Sequence, residues 1–265
     1  MVSLGRQFFS GVSPLSWLIG INVIFYVSSV LVALGFYLNG SLPLFEHYYR
    51  RLALPSVPML LLQQPWSVLT HMFIHDLRGI WHILLNMLWL YWMGHIFTTV
   101  QPARRLYWAY GLGGIAGAIG YLSYAWTHYP HNGYAMGASA AVNGVFFATV
   151  TLLPHYRVYL LFLGPIALRW LSLIWILMDL ILTLNGGEAS AVAHLSGAGM
   201  GVLIGYLFKK GWTPEHLAQV FSFSFYREEV TSEEVDRILD KINQKGIQSL
   251  TRREKNILRK AAERL

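Results

Sequence analysis

The sequence predicts an all-α polytopic membrane protein with six transmembrane helices and a small soluble helical hairpin at the C-terminus. Of the 265 residues, 55% are hydrophobic and only 12% are charged, whereas an average soluble domain is about 25% charged. Residues 1–213 contain four acidic and ten basic side chains, whereas residues 214–265 contain nine and ten. We therefore expect a membrane domain over 1–213 and a cytoplasmic tail over 214–265.

Six apolar segments are predicted to cross the bilayer, whose hydrocarbon core of about 30 Å takes roughly 20 apolar residues in a helix. The first segment is long and lacks a small-residue cleavage pattern, so we interpret it as a retained span rather than a signal peptide. The fourth is shorter than a full span, which is tolerated when other helices surround it. The segments are 15–37, 80–99, 105–126, 137–153, 166–184 and 190–208.

The basic residues predict the orientation, because short cytoplasmic loops carry an excess of Lys and Arg. Most of them fall on one side if the N-terminus is cytoplasmic, namely Arg6, Arg104, Arg105, Arg157, Arg169, Lys209 and Lys210. A smaller opposing set, Arg50, Arg51 and Arg78, lies in the loop between the first two spans. We predict a multi-pass protein of the cell (inner) membrane with both termini cytoplasmic. The excess base indicates topology and lipid headgroup contact, and we expect no nucleic-acid partner.

Two further features limit the possible chemistry and topography. The chain has no cysteine, which excludes disulfides, thiolate zinc sites and a cysteine nucleophile. The loop over 41–79 mixes aromatic, aliphatic and basic residues, a composition typical of membrane-interface elements. It is either a partly embedded loop beside the bundle or an exposed lid.

Four polar residues in three of the predicted spans are the candidates for function. Polar side chains at membrane depth are costly and usually functional. His82 and Asn86 lie in the second span, Ser139 in the fourth and His194 in the sixth. These spans run in the same direction, and all four residues lie near their outer ends, within roughly 10 Å of the outer face at 1.5 Å per residue. The residues thus share one depth.

Glycine spacing predicts that the fourth and sixth spans touch. Small residues let two helices approach closely in a bilayer. In the sixth span the small residues on the face of His194 are Gly197, Gly201 and Gly205. The fourth span offers a matching face with Gly137, Ala140 and Gly144. Such a contact would bring Ser139 within reach of His194.

These residues suit acyl transfer. A serine hydroxyl is a weak nucleophile until a base accepts its proton, and His194 is the candidate base for Ser139. Donors for the developing oxyanion are the Asn86 amide, the His82 ring N–H and the Ser139 backbone N–H. Nothing in the sequence ties Asp179 to this site, so we predict a Ser/His dyad. No cofactor or metal is required.

Together the motifs G-A-S over 137–139, A-H-x-x-G-x-x-x-G over 193–201 and H-x-x-x-N over 82–86 resemble those of the rhomboid intramembrane serine proteases. The stretch W-S-V-L-T-H-M-F-I-H over 66–75 is also similar to the approach to their second span. The resemblance implies a six-helix rhomboid-like bundle. It also implies an endopeptidase that cleaves single-span or multi-span membrane proteins within the bilayer, near the outer boundary.

The resemblance assigns the dyad to Ser139 and His194, and the oxyanion site to His82 and Asn86. The sequence departs from the family at Ala140, where glycine is usual, and at Asn143, where an aromatic residue often stacks on the histidine. We hypothesise that Asn143 hydrogen-bonds to His194 instead.

Two other functions are compatible with the sequence. A rhomboid-like protein that binds transmembrane helices without cutting is one rival, and a small-solute transporter is another. Taken singly, each polar residue is more often structural, and Gly137, Gly144, Gly197 and Gly201 are expected to serve helix packing. A metal site from His71, His75 and Asp76 is a weaker alternative.

The tail is predicted to be a helical hairpin. Thr231-x-x-Glu234 and Thr251-x-x-Glu254 have the spacing of capping boxes. Gly246 is expected to end the first helix, and apolar stripes on both helices indicate that they pack together. We interpret the tail as a regulatory element or a docking site for a cytoplasmic partner. Its balanced charge disfavours a helix-turn-helix DNA reader.

Overall fold

The computed structural model describes residues 12–128, 133–160, 164–184, 186–212 and 232–251, together with 254, 257 and 258. The chain divides into two units, Met1–Pro214 and Glu215–Leu265. In chain order, the elements of the first unit are α1 (Pro14–Leu38), α2 (Leu42–Arg50), β1 (Leu54–Pro55), α3 (Pro58–Gln63), α4 (Ser67–Thr70), α5 (Trp81–Thr98), α6 (Arg105–His128), β2 (Tyr134–Ala135), α7 (Ser139–Leu152), β3 (Arg157–Leu160), β4 (Gly164–Ala167), α8 (Leu168–Thr183) and α9 (Glu188–Lys209).

The prediction of a mostly helical chain is confirmed. The six longer helices α1 and α5 to α9 coincide with the six predicted segments to within two residues at each end. By length and composition, α1 and α9 are candidate membrane spans among the described residues, and α7 is a shorter apolar helix. The crossing of a bilayer by all six helices stays a prediction.

The start of α1 illustrates how local chemistry sets a helix boundary. The Ser13 hydroxyl oxygen accepts a hydrogen bond from the Ser16 backbone N–H at 3.1 Å, and Pro14 occupies the first helical position. This cap satisfies one of the donors that a helix start leaves free, and proline has no N–H to satisfy. At the other end the chain turns at Gly40, whose φ is 68°.

A polar contact inside the bundle ties α1 to α6. The Asn22 amide is fully buried and donates to the Leu18 carbonyl at 2.8 Å and to the Tyr110 hydroxyl at 3.0 Å. The Tyr110 hydroxyl in turn donates to the Met72 carbonyl at 2.9 Å. Because each of these polar groups is partnered, their burial is not penalised.

The loop over 41–79 is structured as three short helices and one short strand. Strand β1 pairs antiparallel with β2, with Leu54 opposite Ala135 and Pro55 opposite Tyr134. This two-residue ladder connects the loop to the segment that leads into α7. The loop thereby holds the backbone just before Ser139.

Small residues form a seam between α6, α7 and α9. A Cβ atom added at Gly113 would lie 2.7 Å from the Cα atom of Gly144. On the opposite side of α7, a Cβ atom at Gly197 would meet the Ala140 carbonyl oxygen, and one at Gly201 would meet that of Gly144. Only glycine permits this backbone approach, as small-residue packing between membrane helices requires.

Aromatic rings hold α8 against α5 and α7. The indole of Trp175 stacks on that of Trp89 with ring centroids 4.7 Å apart, and both indoles contact the Phe146 ring edge-on. Of the sixteen residues of α8, only Leu168, Leu171, Ser172 and Asp179 are buried. One face of α8 therefore packs on the bundle while the rest is exposed.

The described part of the second unit contains helix α10 (Ser232–Lys245), which ends before Gly246 with its φ of 77°. Thr251 and Glu254 form the predicted capping box, with the Thr251 N–H donating to the Glu254 carboxylate at 2.7 Å and the Glu254 N–H donating to the Thr251 hydroxyl at 3.3 Å. The ammonium of Lys241 also donates to Glu254 at 2.7 Å and holds the pKa of that carboxyl at about 2. Thr231, half of the other predicted capping box, lies outside the described residues.

Candidate active site

Two hydrogen bonds join a serine, a histidine and an aspartate from three helices. Ser139 is the first residue of α7, and its Oγ atom lies 2.7 Å from Nε2 of His194 on α9. The Nδ1 atom of the same ring lies 2.7 Å from Oδ1 of Asp179 on α8. The side chains of His194 and Asp179 are 20% and 10% exposed. The three side chains form a hydrogen-bonded Ser139–His194–Asp179 row that is largely shielded from solvent.

The row fixes the tautomer of His194. A carboxylate can only accept hydrogen bonds, so with Asp179 in that form the Nδ1–H group of His194 donates to it. Nε2 then has a free lone pair, and the Ser139 hydroxyl donates to it. This is the arrangement in which a histidine can take a proton from a serine.

The prediction of a dyad to which Asp179 is unconnected is wrong, because Asp179 hydrogen-bonds to His194. Asp179 is close because α8 packs on the bundle through the face that carries Leu168, Leu171 and Ser172. The helical spacing puts Asp179 on that same face, two turns beyond Leu171 and Ser172. The sequence contains one signal of this role, since Asp179 is one of only four acidic residues before position 214.

The segment before Ser139 is held by three histidines. The Gly137 N–H donates to the His71 carbonyl at 2.9 Å, and the Ala138 N–H donates to the His75 ring Nε2 at 3.5 Å. His82 lies against Gly137, where an added Cβ atom would be 2.7 Å from its Cε1 atom. Gly137 also has a φ of 126°, which side-chain-bearing residues rarely adopt. Glycine is thus required here for both space and backbone conformation.

Burial keeps two of these histidines neutral. Burial lowers the pKa of His71 and of His75 to about 4. Since the His75 Nε2 atom accepts from Ala138, the ring hydrogen is on Nδ1, which has no partner among the described residues. No group of three His, Cys, Asp or Glu side chains in the described part of the chain is placed to hold a metal ion. The geometry of His71 and His75 is therefore that of positioning groups and lends no support to the metal alternative.

The two predicted oxyanion residues are placed differently. His82 lines a cavity of about 650 Å³ together with Gly137, Ser139 and His194. Asn86 is buried, and its amide donates to the His82 carbonyl of its own helix at 2.7 Å. One of its two N–H groups is thus engaged within α5, and no contact with Ser139 or His194 is seen among the described residues. The second N–H remains available.

Asn143 contacts His194 through the backbone. Its amide donates to the His194 carbonyl oxygen at 3.4 Å, and its Oδ1 atom is buried without a partner among the described residues. The hypothesis of a hydrogen bond to His194 is therefore confirmed for the backbone. Contact with the ring itself is not part of this arrangement.

The cavity wall combines apolar and charged side chains. The charged ones include Glu46 and Arg50 from α2 and Asp76 and Arg78 from the loop before α5. The guanidinium of Arg78 donates to both carboxylate oxygens of Asp76 at distances of 2.7 to 3.0 Å and holds the pKa of that carboxyl below its usual value. A cavity of this size with a partly charged wall has the room and the polar partners that water needs beside Ser139.

Comparisons with known proteins agree with the resemblance. Over 159 residues the chain is 27% identical to the RHOMBOID-like protein 12, mitochondrial, of Arabidopsis thaliana, which covers 55% of this chain and 47% of that protein. Over 150 residues it is 31% identical to the Rhomboid protein 1, mitochondrial, of Saccharomyces cerevisiae, covering 54% of this chain and 42% of that protein. The chain thus spans less than half of the length of either relative.

Two family models match separate parts of the chain. One is described as a family of unknown function (DUF6576) and matches residues 226–264, within the tail. The other is described as a Rhomboid domain and matches residues 62–211, a stretch that contains Ser139, Asp179 and His194. Because this second match covers more than half of the chain, the protein belongs to the rhomboid family.

Proposed function

We propose that the protein is an intramembrane serine endopeptidase that cleaves transmembrane segments of membrane proteins near the outer membrane boundary. The observation that carries the proposal is the 2.7 Å hydrogen bond between the Ser139 hydroxyl and His194 Nε2, made beside a cavity of about 650 Å³. Membership of the rhomboid family supports it, because that family is usually proteolytic.

In the proposed reaction, Ser139 Oγ attacks the carbonyl carbon of the scissile peptide bond while His194 Nε2 takes the hydroxyl proton. When the tetrahedral intermediate collapses, Nε2–H gives this proton to the departing amine nitrogen. A water molecule from the cavity then attacks the acyl-enzyme, again with His194 as the base. The carboxyl product leaves and the Ser139 hydroxyl is restored.

The oxyanion of the intermediate needs hydrogen-bond donors that are in place beforehand. The backbone N–H of Ser139 is one candidate, because the first turn of a helix leaves its N–H groups without partners inside the helix. The ring of His82 is a second, since it lines the same cavity. The free N–H of Asn86 is a third and requires the amide to turn toward the cavity.

We further propose that α1 and α5 to α9 all cross the membrane, with both termini on the cytoplasmic side of the cell membrane. The distribution of Lys and Arg supports this orientation. Because the chain lacks cysteine, single-cysteine variants can test it directly. Gly79→Cys is expected to react with an impermeant maleimide from outside, and Arg104→Cys only after the membrane is opened. The reverse pattern would contradict the orientation.

A catalytically silent rhomboid-like protein is the second candidate function. The observation that favours it is the hydrogen bond from the Asn86 amide to the His82 carbonyl of its own helix, because an oxyanion site without that amide would leave the serine slow. The intact Ser139 to His194 hydrogen bond favours the protease.

The experiment that tests the proposal is cleavage of a single-span model substrate by the purified protein in liposomes. We expect cleavage by the wild type and its loss in Ser139→Ala and His194→Ala. Ser123→Ala is the matched control, because that hydroxyl donates to the Gly120 carbonyl of its own helix and has no other hydrogen-bond partner among the described residues. Cleavage that persists in Ser139→Ala would contradict the proposed nucleophile. An inert wild type would favour the silent candidate.

The tail is proposed to dock a cytoplasmic partner or to regulate the membrane domain. Among its described residues, Ile238 of α10 forms a buried cluster with Leu250 and Ile257. A chain shortened before residue 214 that cleaves the model substrate at the wild-type rate would show that the tail is dispensable for the basal activity.

A further inference from the structure

Asp179 is a buried carboxylate, and the only acidic residue, on a helix that is largely apolar and mostly exposed. Its neighbours Met178 and Leu180 are 61% and 48% exposed, whereas Asp179 is 7% exposed. His194 is its one hydrogen-bonding and ion-pairing partner among the described residues. An acid at such a position is costly and is usually kept for a function.

The position of the Asp179 contact on the His194 ring indicates what this function is. Asp179 touches the one ring nitrogen of His194 that does not face Ser139. In this position a carboxylate holds the ring in the tautomer with hydrogen on Nδ1, aims Nε2 at the hydroxyl and stabilises the imidazolium that forms when Nε2 takes the proton. None of these effects requires contact with the substrate.

We propose that Asp179 is a positioning residue for His194, so that the site works as a Ser139–His194–Asp179 row rather than as a dyad. This inference rests on the proposed peptidase function. The proton of Ser139 moves to Nε2 as the Oγ–C bond forms, and it passes from Nε2 to the departing amine as the C–N bond breaks. The hydrogen on Nδ1 stays on the ring, and Asp179 stays ionised throughout.

The rival explanation is that the ion pair merely ties α8 to α9. The two explanations differ in what they expect of Asp179→Asn, which keeps the size and polarity of the side chain but removes its charge. A structural tie predicts lower thermal stability with the turnover number unchanged in the folded fraction. A positioning role predicts a lower turnover number in a protein that remains folded.

The experiment compares wild type, Asp179→Asn and Asp179→Glu in the cleavage of a single-span substrate in liposomes. We expect Asp179→Asn to lower kcat by at least about tenfold, against about 10⁴-fold for the equivalent change in a soluble serine protease, and to leave KM within about twofold. Asp179→Glu should regain part of the lost rate because it restores the charge. Ser172→Ala controls for the loss of another buried polar group from α8.

A second measurement separates chemistry from substrate binding and folding. The rate at which a small fluorophosphonate modifies Ser139 reports the reactivity of the nucleophile without a peptide substrate. We expect this rate to fall in Asp179→Asn to the same degree as kcat, with the thermal midpoint close to that of the wild type. If Asp179→Asn lowers the midpoint, the rates are compared at a temperature where both proteins are folded.

The failures of the two proposals are distinguishable. A wild type that reacts with the fluorophosphonate, together with an Asp179→Asn variant that reacts equally fast, would overturn the positioning role and leave the peptidase intact. Loss of stability with an unchanged rate in the folded fraction would also overturn it, in favour of the structural tie. A wild type that neither cleaves nor reacts would overturn the proposed function, and the positioning role with it.

Discussion

The helices on either side of His194, α7 with Ser139 and α8 with Asp179, are held in different ways. Every residue from Ala140 to Thr149 in α7 is buried, and glycines of α6 and α9 bring its backbone into contact with theirs on two sides. Only one face of α8 is buried, and it is held there by aromatic rings and by backbone hydrogen bonds at its first turn. The nucleophile is therefore on the most constrained helix and the acid on a peripheral one.

This difference determines how the Ser139–His194–Asp179 row responds when a helix moves. The backbones of α7 and α9 touch at the glycines, so α7 has no room to shift against α9. Close-packed protein interiors do not deform continuously. A displacement of α8 would separate Asp179 from His194 while leaving the Ser139 to His194 hydrogen bond in place. We therefore expect substitutions in the glycine seam between α6, α7 and α9 to abolish activity at the site, and substitutions in α8 to reduce it.

The largest effect is expected from Gly197→Ala. The added methyl group would meet the backbone of Ala140, one residue beyond Ser139, and overpacking of this kind typically costs about 1–3 kcal/mol or more. We expect loss of cleavage and a clearly lower thermal midpoint in detergent. Gly199→Ala on the same helix is the control, because nothing lies within 4 Å of an added Cβ atom there. Equal behaviour of the two variants would refute the seam.

Gly137→Ala is expected to have the next largest effect. Its methyl group would lie 2.7 Å from the His82 ring, and a φ of 126° strains any residue other than glycine by about 1–3 kcal/mol. The displaced ring and loop should lower kcat more than they raise KM, measured with the single-span substrate. Gly79→Ala in the nearby loop is the control, since its Cβ atom would point into open space. Full activity in Gly137→Ala would argue against a role for His82.

Trp175→Ala tests the peripheral helix. Truncation of a fully buried tryptophan costs about 3–5 kcal/mol, and we expect roughly 1–3 kcal/mol for this half-buried one. Without the stacking on Trp89, α8 should pack less firmly and hold Asp179 less well against His194. We therefore expect a partial fall in the cleavage rate, of the same kind as in Asp179→Asn. Trp170→Ala is the control, because its side chain on α8 is 53% exposed. A greater loss of activity in Trp175→Ala than in Gly197→Ala would invert the comparison.

The smallest effect is expected from Asn143→Ala. The amide makes only a long hydrogen bond of 3.4 Å to the His194 carbonyl, and its Oδ1 atom is unpartnered among the described residues. A neutral hydrogen bond contributes about 0.5–1.5 kcal/mol, and this one should be at the low end. We expect cleavage rates within about threefold of the wild type. A loss as large as that of Asp179→Asn would show that Asn143 also acts on the ring.

The two helices also differ in what the sequence predicts about them, because local patterns place Ser139 of α7 but not Asp179 of α8. The ends of the long helices follow from runs of apolar residues bounded by polar and glycine-rich segments, which are local properties. The meeting of Ser139 with His194 follows from glycines repeated every four residues in α9, a pattern that is visible in one helix alone.

The role of Asp179 does not follow from any local pattern. Its distance from His194 depends on how α8 packs on the bundle, where Trp175 of α8 contacts Trp89 of α5 and Phe146 of α7. The orientation of the Asn86 amide toward its own helix is likewise settled by three-dimensional contacts. Residue type and depth identify both side chains as candidates, but their hydrogen-bond partners follow only from the folded structure.

Identification of the residue that a fluorophosphonate modifies tests the proposed site most directly. We expect a single adduct, located on Ser139 by mass spectrometry, that forms in the wild type and is absent from His194→Ala. An adduct on any other serine, or equal modification of Ser139 when His194 is replaced, would contradict it.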